Sequence, residues 1–313
     1  MRYLFFDIEC ADGKRAICEY GYVLCDEKFN VTQKKNILIN PECEFNLVGR
    51  EKQVDLILSY PYEEYYKHNP FNEFYENIRF LMTQKDLVIF GHGVENDIRY
   101  IIKACNRYEL EKFDYIAYDV QMMLPVFSKK NAKYTSLEKA FVDIVPESIR
   151  KDLIDHRAVD DAFKTMLVFK SMVVDLEFSV QDLLESCPES KISALEYWKK
   201  FKSDKEAKDR KRRGNDLWNQ LCEEQKDFLN GLNYIGKIVC ITGKMKECNK
   251  ELKALIRLVK GKGYVAYSKI DGSDYVIAFD ETDKKQMKES LKRPYSGQII
   301  TLDEFMKIVE GGE

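Results

Sequence analysis

Apolar residues recur along this chain at two periods, and the changes between them predict its elements. Tyr3-Leu4-Phe5-Phe6-Asp7-Ile8-Glu9-Cys10, then Ile17-Cys18-Glu19-Tyr20-Gly21-Tyr22-Val23-Leu24-Cys25, then residues 35–39 form short apolar or alternating runs. Aromatic and β-branched runs of this length predict a strand meander over residues 1–39. Residues 40–83 are aromatic and irregular until 71–82, where Phe71, Phe74, Ile78 and Leu81 fall on one helical stripe. Asp86-Leu87-Val88-Ile89-Phe90-Gly91 predicts a buried parallel strand. The spacing of Ile98, Ile101, Ile102 and Cys105 predicts the helix after it. Tyr115-Ile116-Ala117-Tyr118 predicts another strand, followed by a helix from 119 and further helices over 136–141 and 161–174. Strands first, then strands alternating with helices, predict an α/β fold with a mixed sheet flanked by helices.

The pattern changes after about residue 175. Residues 199–213 hold nine Lys or Arg against three Asp or Glu, with Trp198 and Trp218 on either side and Gly214 at the end. Two readings stay open: a solvated, largely helical connector, or a basic arm that tracks a phosphate backbone with the indoles as anchors. Beyond Gly236, Lys237-Ile238-Val239-Cys240-Ile241-Thr242-Gly243 predicts a strand ending in a tight turn. Residues 251–260 predict a helix with Leu252, Leu255, Ile256 and Val259 on one side, stopped by Gly261-Lys262-Gly263. Strands over 264–267, 275–279 and 299–301, with helices over 284–292 and 302–309, complete a small α/β sandwich. The chain therefore divides as 1–175, a basic connector over 176–234, and a second domain over 235–313.

Composition narrows the class. A length of 313 residues suits two domains, and 45% hydrophobic with 33% charged residues is the profile of a soluble globular protein. A net charge of −3 gives no global basic field, although a local patch suffices for a polyanion. No apolar run has the length of a membrane span, and the first residues do not read as a secretion signal. Nine cysteines, an odd number without any C-x-x-C, point to reduced thiols in the cytoplasm and argue against structural zinc.

The candidate chemistry is acidic. Asp7 and Glu9 are two apart on a predicted strand, so both carboxylates leave the same face of an apolar floor. Like charges there repel and are costly to desolvate unless a cation compensates them, and hard oxygen ligands suit Mg²⁺ or Mn²⁺. Asp97 opens a helix just past the strand ending at Gly91, where open α/β sheets place ligand groups. His156 stands five residues before Asp161, too far to share its helical face, and belongs on the loop entering that helix. Asp160 is the adjacent alternative to Asp161. His68 and His92 have no acidic partner at a telling spacing and read as structural.

These pieces resemble the DEDDh 3′–5′ exonucleases, the family of the proofreading epsilon subunit of DNA polymerase III and of RNase T. Asp7-Ile8-Glu9 is similar to its first motif, and Ile17 to Val23 to the strand that follows. Phe90-Gly91-His92-Gly93-Val94-Glu95-Asn96-Asp97 is similar to the second. Tyr134-Thr135-Ser136-Leu137-Glu138 and His156-Arg157-Ala158-Val159-Asp160-Asp161-Ala162 are similar to the third. The likeness covers about residues 1–175. Cys10-Ala11 replace the usual Thr, and Gly93 the usual Asn, at positions that contact substrate in the family.

The resemblance implies an RNase H-like fold in which Asp7, Glu9, Asp97 and Asp161 bind two Mg²⁺ or Mn²⁺ ions. Asp7 would bridge the ions, Glu9 and Asp161 would complete the first site, and Asp97 would hold the second. His156 would take the proton of the attacking water, as the near-neutral pKa of an ordinary imidazole suits. Nucleoside 5′-monophosphates would leave a 3′ end, of DNA in replication or repair, or of RNA as RNase T does.

The last domain resembles the BRCT domain of bacterial NAD-dependent DNA ligases in Ile241-Thr242-Gly243-Lys244-Met245, Gly261-Lys262-Gly263, Tyr275-Val276-Ile277 and Leu302-Asp303-Glu304-Phe305-Met306. That implies recruitment to a protein or DNA-end partner. Thr242, Gly243 and Lys285 match the phosphate-binding positions; equally, Thr242-Gly243 makes only the turn and Lys285 is solvated. Lys199, Lys200, Lys202, Arg210, Lys211, Arg212 and Arg213 are the candidate nucleic-acid contacts of the connector. A competing class is a catalytically silent exonuclease fold serving as a BRCT scaffold, in which nothing requires the carboxylate cluster.

Overall fold

The structure, a computed structural model, describes residues 1–46, 58–128, 136–150, 153–230 and 237–311; Tyr134, Thr135 and Gly236 lie outside them. It separates into two compact units, Met1–Lys200 and Phe201–Glu313.

In the first unit β1 (Arg2–Cys10), β2 (Ile17–Asp26) and β3 (Val31–Leu38) form the expected antiparallel meander. After α1 (Tyr62–Tyr65) and α2 (Phe71–Met82), β4 (Leu87–Gly91) pairs parallel with β1, from Arg2 opposite Leu87 to Phe5 opposite Phe90. Helix α3 (Glu95–Arg107) leads to β5 (Ile116–Asp119), parallel to β4. Then come α4 (Val120–Ser128), α5 (Leu137–Ile144), α6 (Ala158–Asp175), α7 (Val180–Ser186) and β6 (Lys191–Ser193), antiparallel to β5. Among the described residues the sheet order is β3-β2-β1-β4-β5-β6. This is the mixed sheet with flanking helices that the sequence predicts.

Strand β1 has no polar face until Asp7 because helices cover both sides. Its even residues Leu4, Phe6 and Ile8 pack with Ile78 of α2 and Ile98 and Ile101 of α3. Its odd residues Tyr3 and Phe5 pack with Phe90 and with Met166 and Phe169 of α6. Helix α2 buries Tyr75 and Met82 beside Phe71 and Ile78, whereas Phe74 and Leu81 stay partly exposed. The predicted stripe is rotated because the Tyr75 hydroxyl donates to the Glu111 carbonyl at 2.7 Å, which lets a tyrosine go inside.

The predicted connector over 176–234 is corrected by the structure. Leu183 and Cys187 are buried in the core of the first unit, and β6 extends its sheet. Helix α8 (Ala194–Glu224) begins in the first unit and continues in the second. There Trp218 is fully buried and donates from Nε1 to the Tyr267 carbonyl at 3.1 Å, so it is a core residue and not a stacking anchor. Trp198 packs against the core of the first unit. A Cβ on Gly214 would meet the Lys246 carbonyl oxygen at 1.7 Å, so this glycine serves a close backbone contact.

The rest of the second unit comprises α9 (Lys226–Asn230), β7 (Ile238–Ile241), α10 (Gly243–Glu247), α11 (Asn249–Gly261), β8 (Val265–Ala266) and β9 (Tyr275–Ala278). It closes with α12 (Glu281–Ser290), β10 (Gln298–Thr301) and α13 (Leu302–Glu310). Its strands are all parallel in the order β10-β9-β7-β8, over a core including Val239, Ile241, Leu255, Ile277 and Phe305. Among the described residues the cysteines are free thiols, and no helix is long and apolar enough to cross a membrane.

Candidate metal centre

The site begins where β1 outruns its parallel neighbour. Past Phe5, among the described residues, it pairs with β2 alone, with Asp7 opposite Gly21 and Glu9 opposite Glu19. Directly paired residues share a face, so three carboxylates and a glycine gather on the side that α6 covers. Gly21 makes that cover close: a Cβ there would lie 2.0 Å from the Val159 nitrogen and 2.1 Å from the Ala158 carbonyl carbon. Any side chain at 21 would push the start of α6 off the sheet.

Glu19, which the sequence reading passed over, fastens that helix start. It is fully buried, and its Oε2 accepts the Ala158 N–H at 3.2 Å and Asn36 Nδ2 at 3.0 Å. Its Oε1 accepts the Tyr65 hydroxyl in a short hydrogen bond and Ser59 Oγ at 3.4 Å. A carboxylate on the first N–H of a helix fills an orphan donor and complements the helix dipole. Burial raises the Glu19 pKa, against the lowering effect of these four donors. With this support α6 starts at Ala158, three residues before the predicted start, and Asp161 falls in its first turn.

From the loop ahead of α6, His156 enters in the left-handed region, φ 57°, where a side chain other than glycine is uncommon. Its backbone N–H donates to Asp161 Oδ2 at 3.2 Å, and its Nδ1 lies 4.0 Å from Glu9 Oε1. One ligand atom each of Glu9, His156 and Asp161 lies within 4.8 Å of the others. The structure thus brings three of the predicted residues together and puts His156 outside the helix, as its spacing requires. Asp160 turns elsewhere: it is fully buried, 2.7 Å from Lys34 Nζ and 2.8 Å from Arg157 Nε. Of the two adjacent aspartates, it is Asp161 that lies with Glu9 and His156.

Asp7 and Asp97 lie outside that triad and are tied to it by charge. Burial pushes the Asp7 pKa well up, and Asp97, Glu9 and Asp161 push it further. Asp97, buried in the first turn of α3, is likewise raised well above the usual range by burial and then by Asp119, while the Ile8 N–H lowers it. Burial, followed by Asp161, Glu19 and Asp97, pushes Glu9 up to about 8. For Asp161, burial raises the pKa and Lys164 opposes the rise. Asp119, at the end of β5, also escaped the sequence reading; its Oδ1 takes the N–H groups of Gly93 and Gln121, each at 2.9 Å. Four mutually repelling carboxylates with an imidazole at their rim are a hard-donor set of the kind that fits Mg²⁺ or Mn²⁺.

In the second unit the predicted phosphate site is not available in the form expected. Thr242 is buried, accepts the Met245 N–H at 3.2 Å as the cap of α10, and donates to Asp283 Oδ2 at 2.6 Å. Its hydroxyl is engaged, and the carboxylate beside it repels an anion; Lys285 is exposed on α12. Lys199, Lys200, Lys202, Arg210, Lys211, Arg212 and Arg213 are exposed along α8, with Lys211 paired to Glu247 at 3.4 Å and Arg212 to Asp209 at 3.6 Å.

No family model and no curated protein matches the chain. Similar solved structures include the nuclease domain of 3′hExo, a DEDDh family member bound to rAMP: 13% identity, TM-score 0.43, covering 56% of this chain and 91% of that one. Exonuclease X in complex with 5′ overhanging duplex DNA gives 12% identity and a TM-score of 0.42, covering 59% of this chain and 97% of that one. E. coli exonuclease I in complex with a dA16 oligonucleotide gives 15% and 0.45, covering 59% of this chain and 42% of that one. The chain thus spans less than half of that last protein.

Proposed function

We propose that the first unit is a divalent-metal-dependent 3′–5′ exonuclease releasing nucleoside 5′-monophosphates, from DNA 3′ ends in preference to RNA. The observation that carries this reading is the meeting of Glu9, His156 and Asp161 within 4.8 Å, with half-buried Asp7 and buried Asp97 linked to them by charge. Such a charge excess has no use in packing and answers the need of a cation.

Two bound Mg²⁺ or Mn²⁺ ions supply activation of the nucleophile and charge stabilisation for an in-line displacement at phosphorus. Asp7, Glu9 and Asp161 would hold one ion, and Asp97 would help hold the other. His156, held at the rim by its backbone bond to Asp161, takes the proton of the attacking water. Exposed Lys199, Lys200, Lys202, Arg210 and Arg213 on α8 are proposed to follow the phosphate backbone, without help from the indoles. The second unit is proposed as a docking module of BRCT type for a protein or DNA-end partner in replication or repair, in the cytoplasm.

The test is release of mononucleotides from 3′-labelled single-stranded DNA and RNA with Mg²⁺, Mn²⁺ or a chelator. Metal-dependent release, faster on DNA, is expected. No release from either polymer sinks the enzyme and leaves a silent scaffold.

A further inference from the structure

Among the described residues, Lys164 is the one basic side chain in the buried set, only 2% exposed. It sits one turn beyond Asp161 on α6, with Nζ 2.7 Å from Asp161 Oδ1 and 2.5 Å from Asp155 Oδ1. Burying an ammonium near the start of a helix is unfavourable on two counts, since it loses water and meets the positive end of the dipole. An exposed pair on the outer face of α6 would serve the helix as well. The burial therefore needs another reason, and the carboxylates around Asp161 provide it.

We propose that Lys164 is a resident counter-ion of the carboxylate site, which holds Asp161 in place and weakens the grip of the site on a divalent ion. The inference rests on the metal-site reading above. Asp161 is held on both oxygens: Oδ1 by Lys164 and Oδ2 by the His156 N–H at 3.2 Å. Each carboxylate oxygen accepts a second partner, so holding does not consume its ligand capacity. The ammonium does change the charge balance. It offsets part of the repulsion among Asp7, Glu9, Asp97 and Asp161 while no ion is bound, and it repels an ion that arrives. Asp155, at 66% side-chain exposure, shares the ammonium and draws part of its charge away from Asp161.

Opposite signs follow for two substitutions in the full chain. Lys164→Met removes the repelling charge at similar volume. Mn²⁺ binding, followed by calorimetry and by the electron paramagnetic resonance of free Mn²⁺, is expected to tighten by about tenfold through relief of the charge repulsion. Asp155→Asn leaves the ammonium wholly on Asp161 and is expected to weaken Mn²⁺ binding severalfold. That exposed site keeps the test decisive even if Lys164→Met does not fold. Unchanged or weaker binding in folded Lys164→Met, or unchanged or tighter binding in Asp155→Asn, overturns the proposal. Failure of the unmodified protein to bind Mn²⁺ overturns the metal-site reading itself, and the proposal with it.

Discussion

Asp161 and Asp283 are both buried aspartates in the first turn of a helix, and their surroundings differ in kind. Asp283 Oδ2 accepts Thr242 Oγ1 at 2.6 Å and the Phe279 N–H at 2.8 Å, both neutral donors within one small unit. Asp161 also has its donors, yet it shares its space with Glu9 and is coupled by charge to Asp7. One carboxylate closes a hydrogen-bond set; the other belongs to a cluster of carboxylates that raise one another's pKa. Burial alone therefore does not mark a functional acid. Surplus charge is what sets Asp161 apart from Asp283.

The largest expected effect lies at the surplus. Asp7→Asn should lower the exonuclease rate by on the order of 10³-fold, several kcal/mol of lost charge stabilisation in the transition state. His156→Ala should cost roughly 10²–10⁴-fold in turnover while Mn²⁺ binding persists, separating proton transfer from ion binding. Calorimetry beside single-turnover kinetics checks the split; loss of both together would move His156 among the holders of the ion.

At the satisfied aspartate the prediction has the opposite form. Thr242→Val leaves Asp283 short of a donor and should destabilise the second unit by about 1–3 kcal/mol in urea unfolding, with the nuclease rate unchanged. A fall in that rate would erase the contrast between the two aspartates.

The smallest effect is a pH dependence of the metal-free protein. Burial, then neighbouring carboxylates, pushes Glu9 from its ordinary 4.5 to about 8, so folding favours its neutral form. The stabilisation from that form is complete below pH 4.5 and is lost as pH rises through 8. The melting temperature should carry this downward slope, and Glu9→Gln should flatten it. An equal slope in both proteins removes Glu9 from the coupled set.

The sequence exposed those parts of the site that depend on local geometry. Strand periodicity aligned Asp7 with Glu9, and helix spacing separated His156 from Asp161. Glu19 and Asp119 were hidden because their meaning lies in distant donors: Asn36, Tyr65 and Ala158 for the first, Gly93 for the second. Lys164 stood at a visible three-residue spacing from Asp161, but only packing makes that lysine buried. The fold followed the same rule. Strand and helix runs emerged from periodicity, whereas Trp218, flanking a basic run, was equally open to reading as an anchor until the core of the second unit enclosed it.

The Ala158–Glu19 hydrogen bond closes across 139 residues, and it bears on when the site comes into being. A chain still leaving the ribosome holds Asp7 and Glu9 long before His156 and Asp161 exist. Even afterwards, α6 can settle over Gly21 only once the β1–β2 hairpin has formed, and docking across so long a stretch of chain is a slow step of folding. The acids that would cut nucleic acid thus remain separate throughout synthesis and early collapse. Assembly of the sheet acts as the timer of the chemistry.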